Sequence, residues 1–183
     1  MPKTAILLGS DSDLPLMKDC FKTLESLGID FQVELLSAHR MPEYVSAFAL
    51  EAEKKGFELI IAGAGLAAHL PGVVAAYTVL PVIGVPLKSK SLDGLDALLS
   101  IVQMPPGIPV ATVGINNSKN AALLAAAILS LKHPELREKL RRSRESNKKA
   151  LLSRNEQLKK SGWEKYPRKN WRKTREEIKR LKN

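Results

Sequence analysis

The chain is poor in the residues that metal centres and cross-links require, with one cysteine, Cys20, and three histidines in 183 residues. A lone cysteine makes no intramolecular disulfide, and no Cys/His group stands at metal-ligand spacing, so neither a stapled scaffold nor a metal enzyme is indicated. No cofactor and no metal are expected. Aromatic residues make up only 5%, which counts against a flavin site built from stacked rings. Long apolar runs are missing as well. Met1-Pro2-Lys3-Thr4 leads into Ala5 to Leu8, far too short for a signal-peptide core or a membrane span. The expectation is a cytoplasmic protein with no membrane partner.

Acidic charge is deficient at one end only. From Met1 to Leu131 there are 9 Lys/Arg against 12 Asp/Glu, and from Lys132 to Asn183 there are 20 against 7, which accounts for the net +10. A basic C-terminal segment carrying Trp163, Tyr166 and Trp171 has the composition of a nucleic-acid surface. Glutamates interrupt it throughout, however, so a solvated helix with aromatic anchors on a neighbouring subunit is the preferred reading and a nucleic-acid partner is not expected.

With 44% hydrophobic residues the chain can bury one substantial core. One domain is expected over residues 1–160, followed by a basic tail over 161–183. Along the domain, short apolar runs alternate with helical patterns. Strands are predicted at Lys3–Leu8, Phe31–Leu36, Glu58–Ala62, Pro81–Val85 and Pro109–Ile115. The intervening helices are predicted to begin near Leu14, Pro42, Val73, Leu92 and Lys119. In the first, Leu14, Met17, Phe21, Leu24 and Leu27 face inward and Gly28 closes it; in the second, Tyr44, Val45, Phe48, Ala49 and Ala52 do so. Continuous apolar strands separated by helices indicate an α/β three-layer sandwich around a parallel five-stranded sheet, with flavodoxin-like order 2-1-3-4-5. A C-terminal helical extension starts at Pro134 and breaks at Ser161-Gly162. Lys119–Leu131 is apolar around most of its circumference, which favours a buried oligomer interface.

Ligands of open α/β sheets bind beyond the carboxyl ends of the strands, where loops converge and helix N-termini point their N–H groups. Strand one delivers Ser10, Ser12 and Asp13 there; strand two delivers Ser37, Ala38, His39 and Arg40; strand three delivers Gly63-Ala64-Gly65-Leu66-Ala67-Ala68-His69-Leu70. Ser10 and Ser12 suit a phosphate, to which Arg40 adds a bidentate contact. Asp13 either accepts from ribose hydroxyls or caps the following helix. His39 is the better acid/base candidate because imidazole titrates near neutrality, with a structural role as the alternative. His69 either touches substrate or holds its loop, and His133, at a helix start, is structural. The small residues Gly63, Gly65 and Ala67 let a flat ring or a carboxylate approach the main chain. No dinucleotide or phosphate-loop fingerprint occurs.

Gly9-Ser10-Asp11-Ser12-Asp13, Ser37-Ala38-His39-Arg40 and Ala67-Ala68-His69-Leu70-Pro71-Gly72 together resemble the 5-(carboxyamino)imidazole ribonucleotide mutase family, the bacterial PurE type. The similarity runs from about Pro2 to Lys159 and includes Ser100-Ile101-Val102-Gln103-Met104-Pro105 and the Asn120–Ala126 segment. The resemblance implies an octamer of three-layer α/β subunits. It also implies transfer of a carboxyl group from a nitrogen to a ring carbon of a purine-pathway nucleotide, without ATP, metal or biotin. His39 is then the proton-transferring residue. The substrate-binding set is Ser10, Ser12, Asp13, Ser37, Ala38, Arg40, Gly65, Ala67, His69 and Leu70, with His69 beside the carboxyl group. A sister class carboxylates the unsubstituted nucleotide with free carbon dioxide; it carries lysine at the position of Arg40 and lacks His69-Leu70-Pro71. The mutases usually have glycine where Leu66 stands and threonine where Met41 stands.

Non-enzyme readings are a flavodoxin-like nucleotide- or flavin-binding module and a signalling receiver. A receiver needs a phosphoacceptor aspartate at the end of strand three, where this chain has Ala62-Gly63.

Overall fold

A computed structural model describes residues 2–166. Its five parallel strands are β1 (Lys3–Leu8), β2 (Asp30–Leu35), β3 (Leu59–Gly65), β4 (Val82–Leu87) and β5 (Ala111–Thr112), in spatial order β2-β1-β3-β4-β5. The helices are α1 (Leu14–Leu27), α2 (Pro42–Glu51), α3 (Leu70–Ala76), α4 (Leu95–Val102), α5 (Ser118–Leu129) and α6 (Pro134–Lys165). The flavodoxin-like order expected from the alternation is therefore present.

The pleat sorts the core into two layers. Ile6 and Leu8 of β1, Leu59 and Ile61 of β3, and Ile83, Val85 and Leu87 of β4 pack under α1 and α5, with Leu136 at the start of α6. The alternate residues Ala5, Leu7, Ile60, Ala62 and Val82 pack under α2, α3 and α4. Every residue of β4 is buried, as a central parallel strand covered on both faces must be. The inner edge of α1 is Met17, Cys20, Leu24 and Leu27. Leu14, expected inward, is 36% exposed, because it sits at the first helical position and to the side of that stripe. Tyr44, also expected inward, is 60% exposed, and α2 buries Val45 and Ala49 instead. Gly28 ends α1 in the left-handed conformation that favours glycine.

Two strands differ in extent from the sequence reading for identifiable reasons. β3 runs on to Gly65, so Gly63 and Gly65 are strand residues. A side chain at Gly63 would meet Leu8 and Leu87, and one at Gly65 would meet the Leu87 carbonyl at 3.2 Å; these glycines serve close packing of neighbouring strands. β5 is only two residues long, because Pro86 of β4 has no N–H to donate and the edge ladder stops there. α5 finds most of its cover within its own unit: Ala121, Ala122, Ala125, Ala126 and Leu129 are buried, and Leu123, Leu124 and Ile128 pack half-buried on the same core.

The chain divides at Leu140/Arg141 into two compact units. α6 is interrupted at Gly162 (φ 71°, ψ 160°), where Ser161-Gly162 was expected to break it. Most of the tail expected over 161–183, Trp171 included, lies outside the described residues. No helix among the described residues is long and apolar enough to cross a membrane.

Candidate functional site

The carboxyl ends of β1, β2, β3 and β4 open onto one cleft of about 560 Å³. Ser10, Ser12, Asp13, Ser37, Ala38, His39, Arg40, Gly65, Ala67, His69 and Leu70 all line it, so every sequence-predicted site residue converges on one place. Strand order explains this. β2 and β3 flank β1, so their tips bring three motifs, separated widely in sequence, side by side.

At the tip of β1 the chain turns into a single 3-10 turn, Asp11–Asp13. Ser10 leads into it in extended conformation, its hydroxyl accepting from Ser12 N–H (3.3 Å), while the Asp13 carboxylate accepts from Ser10 N–H (3.1 Å). Asp13 is thus one half of a reciprocal cap on this turn, and it makes no side-chain cap to α1. The Ser12 hydroxyl donates to Ser10 Oγ at 2.9 Å. An incoming phosphate would exchange these local bonds for its own. Burial is the largest effect on Asp13 and raises its pKa; the Ser10 N–H opposes, Asp11 adds repulsion, and Arg40 opposes again.

Arg40 donates from Nη2 to the Gly9 carbonyl, tying the tip of β2 to that of β1 and holding the guanidinium beside Asp13. Ser37 Oγ accepts from Arg40 N–H at 3.4 Å, which closes the turn that presents His39. Across the cleft, His39 Nε2 lies within hydrogen-bonding distance of His69 Nδ1, the rings meeting edge to face. His69 immediately precedes α3 and makes no side-chain cap to it, which leaves its ring facing His39. His133, by contrast, bonds Glu58 at 2.9 Å and belongs to the fold.

The cleft also contains residues not singled out from sequence. Lys88 and Ser89, just beyond β4, complete its wall; their position at a strand's carboxyl end was the available signal. Leu66 lines it with a left-handed backbone, φ 54°, and its side chain is 55% exposed. No group of three or more His, Cys, Asp or Glu residues that could hold a metal occurs among the described residues. What the cleft offers is a polar turn for an anion, a cation at Arg40, and a facing pair of proton-transfer groups over a floor of small residues.

Comparison with known proteins agrees with this geometry. The AIR carboxylase family model matches residues 3–150. The N5-carboxyaminoimidazole ribonucleotide mutase of Pyrococcus abyssi is 60% identical over 166 residues, 91% of this chain and 95% of that protein. The chloroplastic phosphoribosylaminoimidazole carboxylase of Vigna aconitifolia is 50% identical over 160 residues, 87% of this chain but 29% of that much longer protein. Among solved structures, Treponema denticola PurE superposes with a TM-score of 0.80 at 34% identity, covering 87% of this chain and 99% of that one. By its fold, the motifs gathered in its cleft and a match spanning most of its length, the chain belongs to the AIR carboxylase family.

Proposed function

We propose that the chain is an N5-carboxyaminoimidazole ribonucleotide mutase of purine biosynthesis, with residues 1–160 as the catalytic domain. The observation that carries this is the His39–His69 pair, set between the serine turn of β1 and the small-residue end of β3, in a chain 60% identical to a protein of that name.

The reaction follows from the groups present. The substrate is a carbamate on the exocyclic nitrogen of an aminoimidazole nucleotide. His39 gives a proton to that nitrogen as the N–C bond breaks, releasing carbon dioxide and the free amine. Carbon dioxide held in the cleft is then attacked by the ring carbon, and His39 takes the proton that this carbon loses as aromaticity is restored. The residue ends as it began, the net change is an isomerisation, and no oxidant, ATP or metal enters the balance. Holding carbon dioxide beside the ring supplies much of the rate, and the histidine contributes by proton transfer. Ser10, Ser12 and Arg40 bind the phosphate, Asp13 accepts from the ribose, and Ser37, Ala38, Gly65, Ala67 and Leu70 shape the base and carboxylate pocket with His69. A cytoplasmic octamer is part of this reading, taken from the resemblance.

A second reading has one specific support, the carboxylase name of the Vigna aconitifolia relative: direct carboxylation of the unsubstituted nucleotide. One assay separates the two. Formation of the ring-carboxylated nucleotide is followed by ultraviolet absorbance without ATP, using either the carboxyamino nucleotide or the unsubstituted nucleotide with bicarbonate. Fast turnover of the first substrate alone is expected; turnover of the second alone would replace the mutase reading with the carboxylase.

A further inference from the structure

We infer that Lys88 is a substrate-binding cation that holds the carboxylate of the reacting nucleotide, the group being moved, and that it gives up its pairing with Asp93 to do so. This rests on the mutase reading, which requires a substrate with anions at both ends: a phosphate and a carboxylate.

The cleft walls hold two basic side chains, Arg40 and Lys88. Arg40 stands at the tip of β2, tied to the β1 turn. Lys88 stands beyond β4, at the other side of the cleft. In the order β2-β1-β3-β4 the two strand tips are three inter-strand steps apart, about 14 Å, a span suited to a nucleotide lying across β1 and β3. With the phosphate at the β1 turn, the base lies over the end of β3 beside His39 and His69, and the ring carboxylate points toward β4.

Lys88 is built as a fixed base with a releasable head. Its backbone N–H donates to Asn116 Oδ1 at 2.8 Å, and Asn116 N–H in turn bonds the Pro86 carbonyl at 2.9 Å. This pins the main chain to the loop before α5. Among the described residues the side chain pairs with Asp93, at 2.9 Å, with the two side chains 54% and 78% exposed. Exposed pairs of this kind are weak and screened by salt, so exchanging Asp93 for a carboxylate inside the cleft costs little. Asp93 itself occupies a left-handed position, φ 53°, followed by Gly94 at φ 91°, in the turn that folds back over Lys88.

The test is steady-state kinetics of the full chain at constant ionic strength, in both directions, for the wild type, Lys88→Met, Lys88→Arg and Asp93→Asn. Ribose 5-phosphate, which has the phosphate but no carboxylate, serves as a competitive inhibitor. Expected are a KM about tenfold higher or more in Lys88→Met, the size of one lost charged hydrogen bond, partial recovery in Lys88→Arg, and an unchanged inhibition constant for ribose 5-phosphate. Asp93→Asn, which frees Lys88, leaves KM equal or lower. An unchanged KM in Lys88→Met overturns the inference, and so does an Asp93→Asn variant that raises KM as much as Lys88→Met, since the pair would then act only by bracing the loop. Wild-type protein inactive on both nucleotides would instead refute the mutase reading, and this inference with it.

Discussion

His39 Nε2 stands 2.5 Å from His69 Nδ1, with the rings at 79° and their centroids 4.7 Å apart. One N–H fits between two facing nitrogens, so one ring donates and the other accepts, and each fixes the tautomer of its partner. His39, on the turn after β2, is the ring proposed to reach the leaving nitrogen, with His69 orienting it. His39→Asn is expected to reduce kcat by about 10²- to 10⁴-fold, the usual worth of a positioned acid/base. Its melting temperature should stay unchanged, because the ring is exposed. His69→Asn should cost less in kcat, since the amide can still bond His39. Equal losses in the two variants would show that His69 takes part in proton transfer itself.

Asp13 gives a pH dependence with a definite sign. Burial raises its pKa above the ordinary 3.8, so the folded chain holds this proton more tightly than the unfolded chain does. Its contribution to stability is complete below about pH 3.8 and is lost as pH rises through the raised folded value. Asp13→Asn keeps an acceptor for the Ser10 N–H and removes the ionisation penalty. The variant should therefore have a higher urea midpoint than the wild type at pH 7, with the difference vanishing toward pH 3.5. Its KM should rise if the carboxylate accepts from ribose. A lower midpoint at pH 7 would contradict the assignment.

Glu58 behaves in the opposite sense. Burial alone would raise its pKa, but hydrogen bonds and charge from Lys132 and His133, both at 2.9 Å, outweigh it and hold the carboxyl low. The stability it provides is present above about pH 4.5 and is lost as pH falls through the lowered folded value. Glu58→Gln should cost about 1 kcal/mol at pH 7. It should leave kcat and KM unchanged, because Glu58 precedes β3, at the end of the strand opposite the cleft. Urea denaturation at pH 7 and pH 4 checks the sign.

Much of this was legible in the sequence because parallel strands buried on both faces read as unbroken apolar runs, as in Lys3–Leu8 and Val82–Leu87. The rule that ligands gather at strand ends then places Ser10, His39 and His69 together. What escaped was set by neighbours in space. That Gly63 and Gly65 extend β3 depends on Leu8 and Leu87 crowding them, and that β5 stops after two residues depends on Pro86 of the neighbouring strand. Neither is encoded in the local pattern. The exposure of Tyr44 shows the limit of helical periodicity, which counts apolar residues and cannot know how wide a stripe the sheet will cover.

Gly84 offers a direct test of that packing. It lies in the middle of β4, and a methyl group there would run into Ile101 of α4 and approach Val110 at 3.0 Å, with Pro71 of α3 at 3.4 Å. Ile101 and Val110 belong to a well-filled core layer. Gly84→Ala should destabilise the chain by about 1–3 kcal/mol through overpacking, or about 2–10 °C in melting temperature. Gly107→Ala, where no atom lies within 4 Å but φ is 97°, tests backbone strain without crowding. An unchanged melting temperature in Gly84→Ala would show that crowding between β4 and α4 is not operative.

Leu66 is, with Met41, a position where the chain departs from the residue its resemblance calls for, and the geometry says what that departure does. Its left-handed backbone, φ 54°, costs an L-residue about 1–2 kcal/mol relative to glycine, while glycine would lose about 0.5–1 kcal/mol in the unfolded chain's greater freedom. The two nearly offset, and the side chain is over half exposed, so Leu66→Gly should shift the melting temperature by only about 3 °C or less. The functional effect is separable, because Leu66 stands at the wall of the cleft. Leu66→Ala removes the bulk and keeps the backbone restriction, whereas Leu66→Gly removes both. If the two variants change KM alike, the leucine acts by occupying space above the base. A change confined to Leu66→Gly would mean that it acts by stiffening the loop carrying His69, and kcat should then fall along with the shift in KM.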